Sequence, residues 1–211
     1  MLKIVSILLV FSLSVFADAF ENGMQAVNKG DYKIAVKWFK KAAKQEIPEA
    51  QYNLGLIYYN GLGVAQNYKE AAKWFRLLAK QGYANAQYNL GVMYRDGLGV
   101  AKNYKETVKW FGLAAKQKLP QAQYNLGVMY QDGLGVAKNY KETVKWFRLA
   151  ANQGYSNAQL NLGIMYYLGQ GVQQNKIEAY NWLLKAAKQG DVNAQKAIDI
   201  LCKESPWACQ K

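Results

Sequence analysis

Four asparagines, Asn53, Asn89, Asn125 and Asn161, recur 36 residues apart. The first three follow Tyr52, Tyr88 and Tyr124, and the fourth follows Leu160. A primary amide donates and accepts hydrogen bonds at once, and a tyrosine beside it presents a rigid apolar face with a polar tip. Such a pair suits recognition and carries no bond-breaking chemistry. The chain has no histidine, which removes histidine triads, histidine general bases and histidine metal ligands. It has no Ser-x-x-Lys, no metal-ligand cluster and no carboxylate pair set in a defined pocket. No catalytic residue, metal or cofactor is therefore expected. The remaining reactive side chains are two cysteines, Cys202 and Cys209. In an oxidising compartment they form a disulfide, and so short a loop gives only about 2 kcal/mol.

The elements that must position these residues are set by the same period. Trp38, Trp74, Trp110, Trp146 and Trp182 are each 36 apart, and a fixed period of this size means stacked structural repeats. Within each repeat two helical patterns alternate. Helix A carries an apolar stripe such as Ala86, Leu90, Met93 and Tyr94, at helical spacing. Pro48 and Pro120 sit near helix starts, where the missing N–H is harmless. A Gly-x-Gly connection follows. Helix B begins at Asn67, Asn103, Asn139 or Asn175, with Glu70, Glu106, Glu142 or Glu178 three residues on. This is the pattern of a capping box, in which the asparagine caps and the glutamate reaches back. Gly55, Gly91, Gly127 and Gly163 fall inside helices, where glycine is unfavourable by about 1 kcal/mol against alanine. Their recurrence predicts close approach by a Trp or Phe of helix B, and the Trp ladder is expected in the core. Eleven helices and no strands follow.

The unit A-Q-Y-N-L-G-V-M-Y-x-D-G-L-G-V-x-x-N-Y-K-E-x-x-K-W-F-x-x-A-A-x-Q-G resembles the Sel1-like repeat, a relative of the tetratricopeptide repeat. The resemblance implies an all-α, right-handed α-solenoid, with helices A lining a concave side and adaptor work rather than catalysis. It divides the chain into a leader (1–19), a degenerate first helix pair (20–46), four repeats (47–190) and a capping helix with a clipped tail (191–211). In tetratricopeptide proteins the matching asparagine holds an extended peptide. The candidate partner-binding residues are thus Tyr52, Asn53, Asn85, Tyr88, Asn89, Arg95, Gln121, Tyr124, Asn125, Gln131, Asn161 and Tyr167. A second reading stays open: each asparagine bonds the adjacent repeat and holds the stack. Some secreted members of the family are β-lactamases or penicillin binders, but those carry a cysteine pair in every repeat, and this chain has one pair.

The N-terminus reads as a secretory signal peptide. Lys3 precedes the apolar run Ile4 to Phe16, and Val15-Phe16-Ala17 and Ala17-Asp18-Ala19 are overlapping small-x-small cleavage sites. The run is too short for a comfortable membrane span. Export to the periplasm or the exterior is expected, with no stable span after cleavage. The 27 basic residues against 14 acidic ones, a net charge of +13, point to an anionic surface or partner. Lys69, Lys73, Lys105, Lys109, Lys141 and Lys145 recur on helix B, which reads as a solvated face. A protein or peptide is the expected ligand, and an anionic envelope polymer such as peptidoglycan is the alternative. Nucleic acid does not suit an exported chain.

Overall fold

The computed structural model describes residues 18–209, and the expected leader up to residue 17 lies outside them. Among the described residues there are eleven α-helices, one 3₁₀ turn and no strand. They fall into two compact units, one ending at Lys102 and the other beginning at Asn103. The first holds α1 (18–28), α2 (Tyr32–Ala43), α3 (Pro48–Asn60), α4 (Tyr68–Lys80) and α5 (Ala84–Asp96). The second holds α6 (Tyr104–Lys116), α7 (Pro120–Asp132), α8 (Tyr140–Asn152), α9 (Ser156–Leu168), α10 (Lys176–Ala187) and α11 (Val192–Glu204), then the turn Pro206–Ala208. Residues 18 and 19, which the sequence places in the leader, already belong to α1. Ala19 is fully buried in one cluster with Ala35, Phe39 and Leu54.

Each core rests on the in-helix glycines. A Cβ on Gly55 would lie 2.6 Å from the Phe75 ring of α4, and one on Gly127 would lie 2.6 Å from Phe147 of α8. Gly163 faces Leu183 at 2.8 Å. The phenylalanine, not the tryptophan, makes this approach, and Phe39, Phe75, Phe111 and Phe147 are fully buried. The tryptophans join the core only in part. Trp110 and Trp182 are buried, while Trp38, Trp74 and Trp146 are half-buried.

The B helices start as their asparagines dictate. Asn103 Oδ1 accepts from the backbone N–H groups of Lys105 and Glu106, and Asn139 Oδ1 from those of Lys141 and Glu142. The second half of the expected capping box does not form. The Asn139 N–H is already given to the Tyr130 carbonyl at 2.9 Å, and the Asn67 N–H to the Tyr58 carbonyl at 2.9 Å. The glutamate turns outward instead. Glu106 accepts from the Trp110 indole at 2.9 Å and Glu142 from the Trp146 indole at 3.1 Å, while Lys109 and Lys145 pair with the same carboxylates.

The A helices start without a side-chain cap and are tied by glutamine. Gln51 and Gln87 donate to the Ala43 and Ala79 carbonyls at 3.3 and 3.2 Å, closing the ends of α2 and α4. In the second unit Gln123 and Gln159 do the same to Ala115 and Ala151, both at 3.1 Å. There Gln153 donates to Gln123 Oε1 and Gln189 to Gln159 Oε1, each at 2.8 Å. Each relay joins three helices, and buried amides in series polarise one another. The C-terminal end is closed by a Cys202–Cys209 disulfide with a Cα separation of 5.7 Å.

One substitution at two glycines should give opposite signs. Gly127→Ala pushes a methyl into Phe147 and should lower stability by about 1–3 kcal/mol. Gly112→Ala, inside α6 where a Cβ meets nothing within 4 Å, should raise it by about 1 kcal/mol. Denaturant melts of the full chain check both.

Candidate binding surface of the A helices

In the first unit Asn89 of α5 donates Nδ2 to the Tyr52 hydroxyl of α3 at 3.1 Å. In the second unit Asn161 of α9 donates to the Tyr124 hydroxyl of α7 at 3.0 Å. Both bonds join one repeat to the next. Their acceptors are fixed by packing: Tyr52 packs at a tilt on Phe75 with ring centroids 5.7 Å apart, and Tyr124 stacks on Phe147 at 5.3 Å and meets Tyr155 at a tilt at 5.4 Å. Burial pushes the Tyr124 phenol above its ordinary range, and the bond from Asn161 works against that rise. Asn53 and Asn125 each also give Nδ2 to a carbonyl four residues back in their own helix, Glu49 and Gln121, at 2.8 Å. Asn89 and Asn161 thus join neighbouring repeats, while Asn53 and Asn125 tie back to their own helices.

Two cavities open beside this ladder in the first unit. One, of about 330 Å³, is walled by Phe20 and Met24 of α1, Tyr52 and Asn53 of α3, and Tyr83 and Asn85 at the start of α5. Glu49 also lines it. Tyr83 is 43% exposed, so its ring forms an open wall. The other, of about 280 Å³, is lined by Tyr59, Phe75, Tyr88, Asn89, Val92 and Arg95. Arg95 meets the Asp96 carboxylate with Nε at 2.8 Å and Nη2 at 2.9 Å. This hydrogen bond holds the Asp96 carboxyl below the usual range and the Arg95 guanidinium more firmly charged. Six of the twelve residues singled out by sequence therefore line these two cavities.

The other six belong to the second unit. Tyr124 and Asn161 are the bonded pair described above, and Gln121 supplies the carbonyl for Asn125. Gln131 is half-buried on α7. Tyr167 gives its hydroxyl to Glu204 of α11, which raises its pKa. It also lines an apolar cavity of about 190 Å³ with Ile164, Leu168 and Ile200. Sequence reading did not find Phe20, Met24 and Tyr83. The first two lie in the degenerate helix pair, and Tyr83 lies at a turn, outside the helical stripe. Their apolar character next to Tyr52 was the available signal.

The two roles of the surface separate by substitution. Asn161→Ala should lower stability by about 1 kcal/mol, a melting shift of ~2–4 °C. Asn85→Ala, at an exposed position, should stay within ~0.5 kcal/mol of wild type. Differential scanning calorimetry reads both.

The repeats match the Sel1 repeat family over residues 13–46, 48–83, 84–119, 120–155 and 156–191. Among solved structures the chain is similar to c5321, a protective antigen present in uropathogenic Escherichia coli strains that displays an SLR fold. Identity is 34% and the TM-score 0.88, over 92% of this chain and 42% of the antigen. The chain thus spans less than half the length of that protein. A Sel1 repeat protein from Oxalobacter formigenes is 35% identical with a TM-score of 0.80, over 85% of this chain and 74% of its own. No curated protein matches the chain. Sel1-repeat proteins generally act as protein-interaction scaffolds and are mostly non-enzymatic. With five repeats matched over most of its length, the chain belongs to the Sel1 repeat family.

Proposed function

We propose that this chain is an exported Sel1-repeat adaptor that holds a protein or peptide segment along its A helices. The observation that carries the reading is the cavity between α1, α3 and α5. It joins aromatic walls (Phe20, Tyr52, Tyr83) to amides that face an occupant (Asn53, Asn85). An extended peptide fits such a surface, because apolar side chains fill it while amides serve the main chain. Function then lies in differential affinity and needs no reaction.

Export is supported by the leader pattern, by the disulfide at Cys202–Cys209 and by the absence, among the described residues, of a helix long and apolar enough to cross a membrane. Of the two cleavage sites, the one after Ala17 suits the fold better, since Ala19 is buried in the first core. The net charge of +13 favours a second reading, an anionic envelope polymer held by the basic surface, and ionic strength separates the two. Polyanion binding weakens steeply with salt, and a groove-held peptide is less sensitive.

The test is crosslinked capture from the organism's own envelope extract at low and high salt, with wild type beside Asn85→Arg. The captured protein is then titrated calorimetrically. Retention at high salt and ~10-fold or greater weakening in Asn85→Arg, with an unchanged melt, is the expected result. Recovery of anionic polymer alone, at low salt and equally by the variant, would overturn the groove. Intact mass of the exported protein should place its N-terminus at Asp18.

A further inference from the structure

The B helices α2, α4 and α8 carry a second repeated arrangement, which α6 lacks and which α10, with Leu184 at that position, lacks as well. The position after Trp-Phe is Lys40 in α2, Arg76 in α4, Gly112 in α6 and Arg148 in α8. In the first unit Arg76 gives Nη2 to the Tyr94 hydroxyl of α5 at 3.1 Å, and Lys40 Nζ lies 5.8 Å from the ring centroid of Tyr58. In the second unit Arg148 gives Nη2 to the Tyr166 hydroxyl of α9 at 2.8 Å, with its guanidinium carbon 5.8 Å from that ring. The corresponding tyrosine on α7 is Tyr130. From α6 it receives no cation, because the residue there is Gly112.

Glycine at this place has no packing reason. A Cβ on Gly112 would meet nothing within 4 Å, unlike one on Gly127. A helix interior disfavours glycine relative to arginine. What the missing side chain leaves is a cavity of about 400 Å³ between α6, α7 and α8, lined by Leu113, Leu126, Tyr130 and Trp146, with Lys109 and Lys116. The Trp146 indole is anchored through its N–H to Glu142 at 3.1 Å.

We propose that this cavity docks an arginine side chain presented by a protein partner, whose guanidinium takes the place that Arg148 fills in the following repeat. The flat guanidinium lies against the Tyr130 ring and hydroxyl, and its methylene stem covers Leu113 and Leu126. A guanidinium is planar, stacks on aromatic faces and is weakly hydrated, so it leaves water for such a slot more readily than an ammonium. The two lysines do not forbid it. Arg76 has Lys73 three residues before and Lys80 four after, the same offsets as Lys109 and Lys116 about Gly112, and it still reaches Tyr94. Lys109 is moreover paired with Glu106 at 3.2 Å. The site shares no residue with the cavity of α1, α3 and α5, so the two can fail independently.

The test is a titration of the full ¹⁵N-labelled chain, following the Trp146 indole resonance, assigned with Trp146→Phe. The probes are acetyl-Gly-Arg-Gly-amide, its citrulline counterpart and 3-phenylpropionate. A saturable shift with the arginine peptide is expected, at least ~5-fold weaker with citrulline, which keeps the shape and loses the charge. Gly112→Arg, which supplies the side chain in cis, should abolish the shift. Tyr130→Leu should abolish it too, and keeps the test decisive should Gly112→Arg fail to fold. The proposal is overturned by the absence of a saturable shift, by equal binding of citrulline, or by an unchanged response in both variants. Tighter binding of phenylpropionate than of the arginine peptide also overturns it, because the lysines would then select an anion.

Discussion

Everything in these two units depends on how closely a B helix can press against the A helix before it. The contact is a phenylalanine ring laid on a glycine backbone, Phe75 on Gly55 in one unit and Phe147 on Gly127 in the other. Without a Cβ the helix axes come near enough for the ring to vanish from solvent. That closeness fixes the rest. It brings Tyr52 and Tyr124 onto the same rings, where their hydroxyls take the amides of Asn89 and Asn161 in the next repeat. On the other side of helix A, its first-turn glutamine ties to the carbonyl of the preceding helix. The glycine's poor helix propensity is therefore offset several times over, by dispersion in the ring contact and by the buried hydrogen bonds that become possible.

The architecture was legible because it is written in period and punctuation. The interval of 36 residues, the asparagine caps and the glycine stops each have a local cause that a single sequence displays. The roles of side chains between helices were less legible. Glu142 carries the spacing of a capping box, yet it bonds an indole, because the Tyr130 carbonyl had already taken the N–H it would serve. Only the fold brings that carbonyl there. Gln51, Gln87, Gln123 and Gln159 read as anonymous motif letters, and are among the few buried polar residues. Their acceptors lie eight residues back, across a turn whose geometry sequence does not give.

The candidate surface shows the same division. Sequence identified the face and six residues of its two cavities in the first unit. It left open whether the asparagines bind a ligand or the neighbouring repeat, since an amide can do both. The structure gives the second role a geometry at Asn89 and Asn161. An occupant of the cavity beside Tyr52 would therefore touch a side chain that also reports on the joint between repeats.

The glutamine relays set a rule for how such a chain can change length. Gln153 finds its partner 30 residues away in Gln123, which in turn reaches back to Ala115, and Gln189 repeats the pattern through Gln159 to Ala151. In the second unit the helix pairs joined by these relays present the same donor on one side and the same acceptor on the other, whereas in the first unit Gln51 Oε1 is buried without a partner. A loss or gain of one whole pair therefore rejoins like to like, whereas loss of a single helix leaves a buried amide facing the wrong surface. Growth by copying complete units, followed by drift at positions such as Arg95 and Gln131 that the relays do not use, is the route this geometry leaves open. The lattice of amides works as a ruler, and it measures in one denomination.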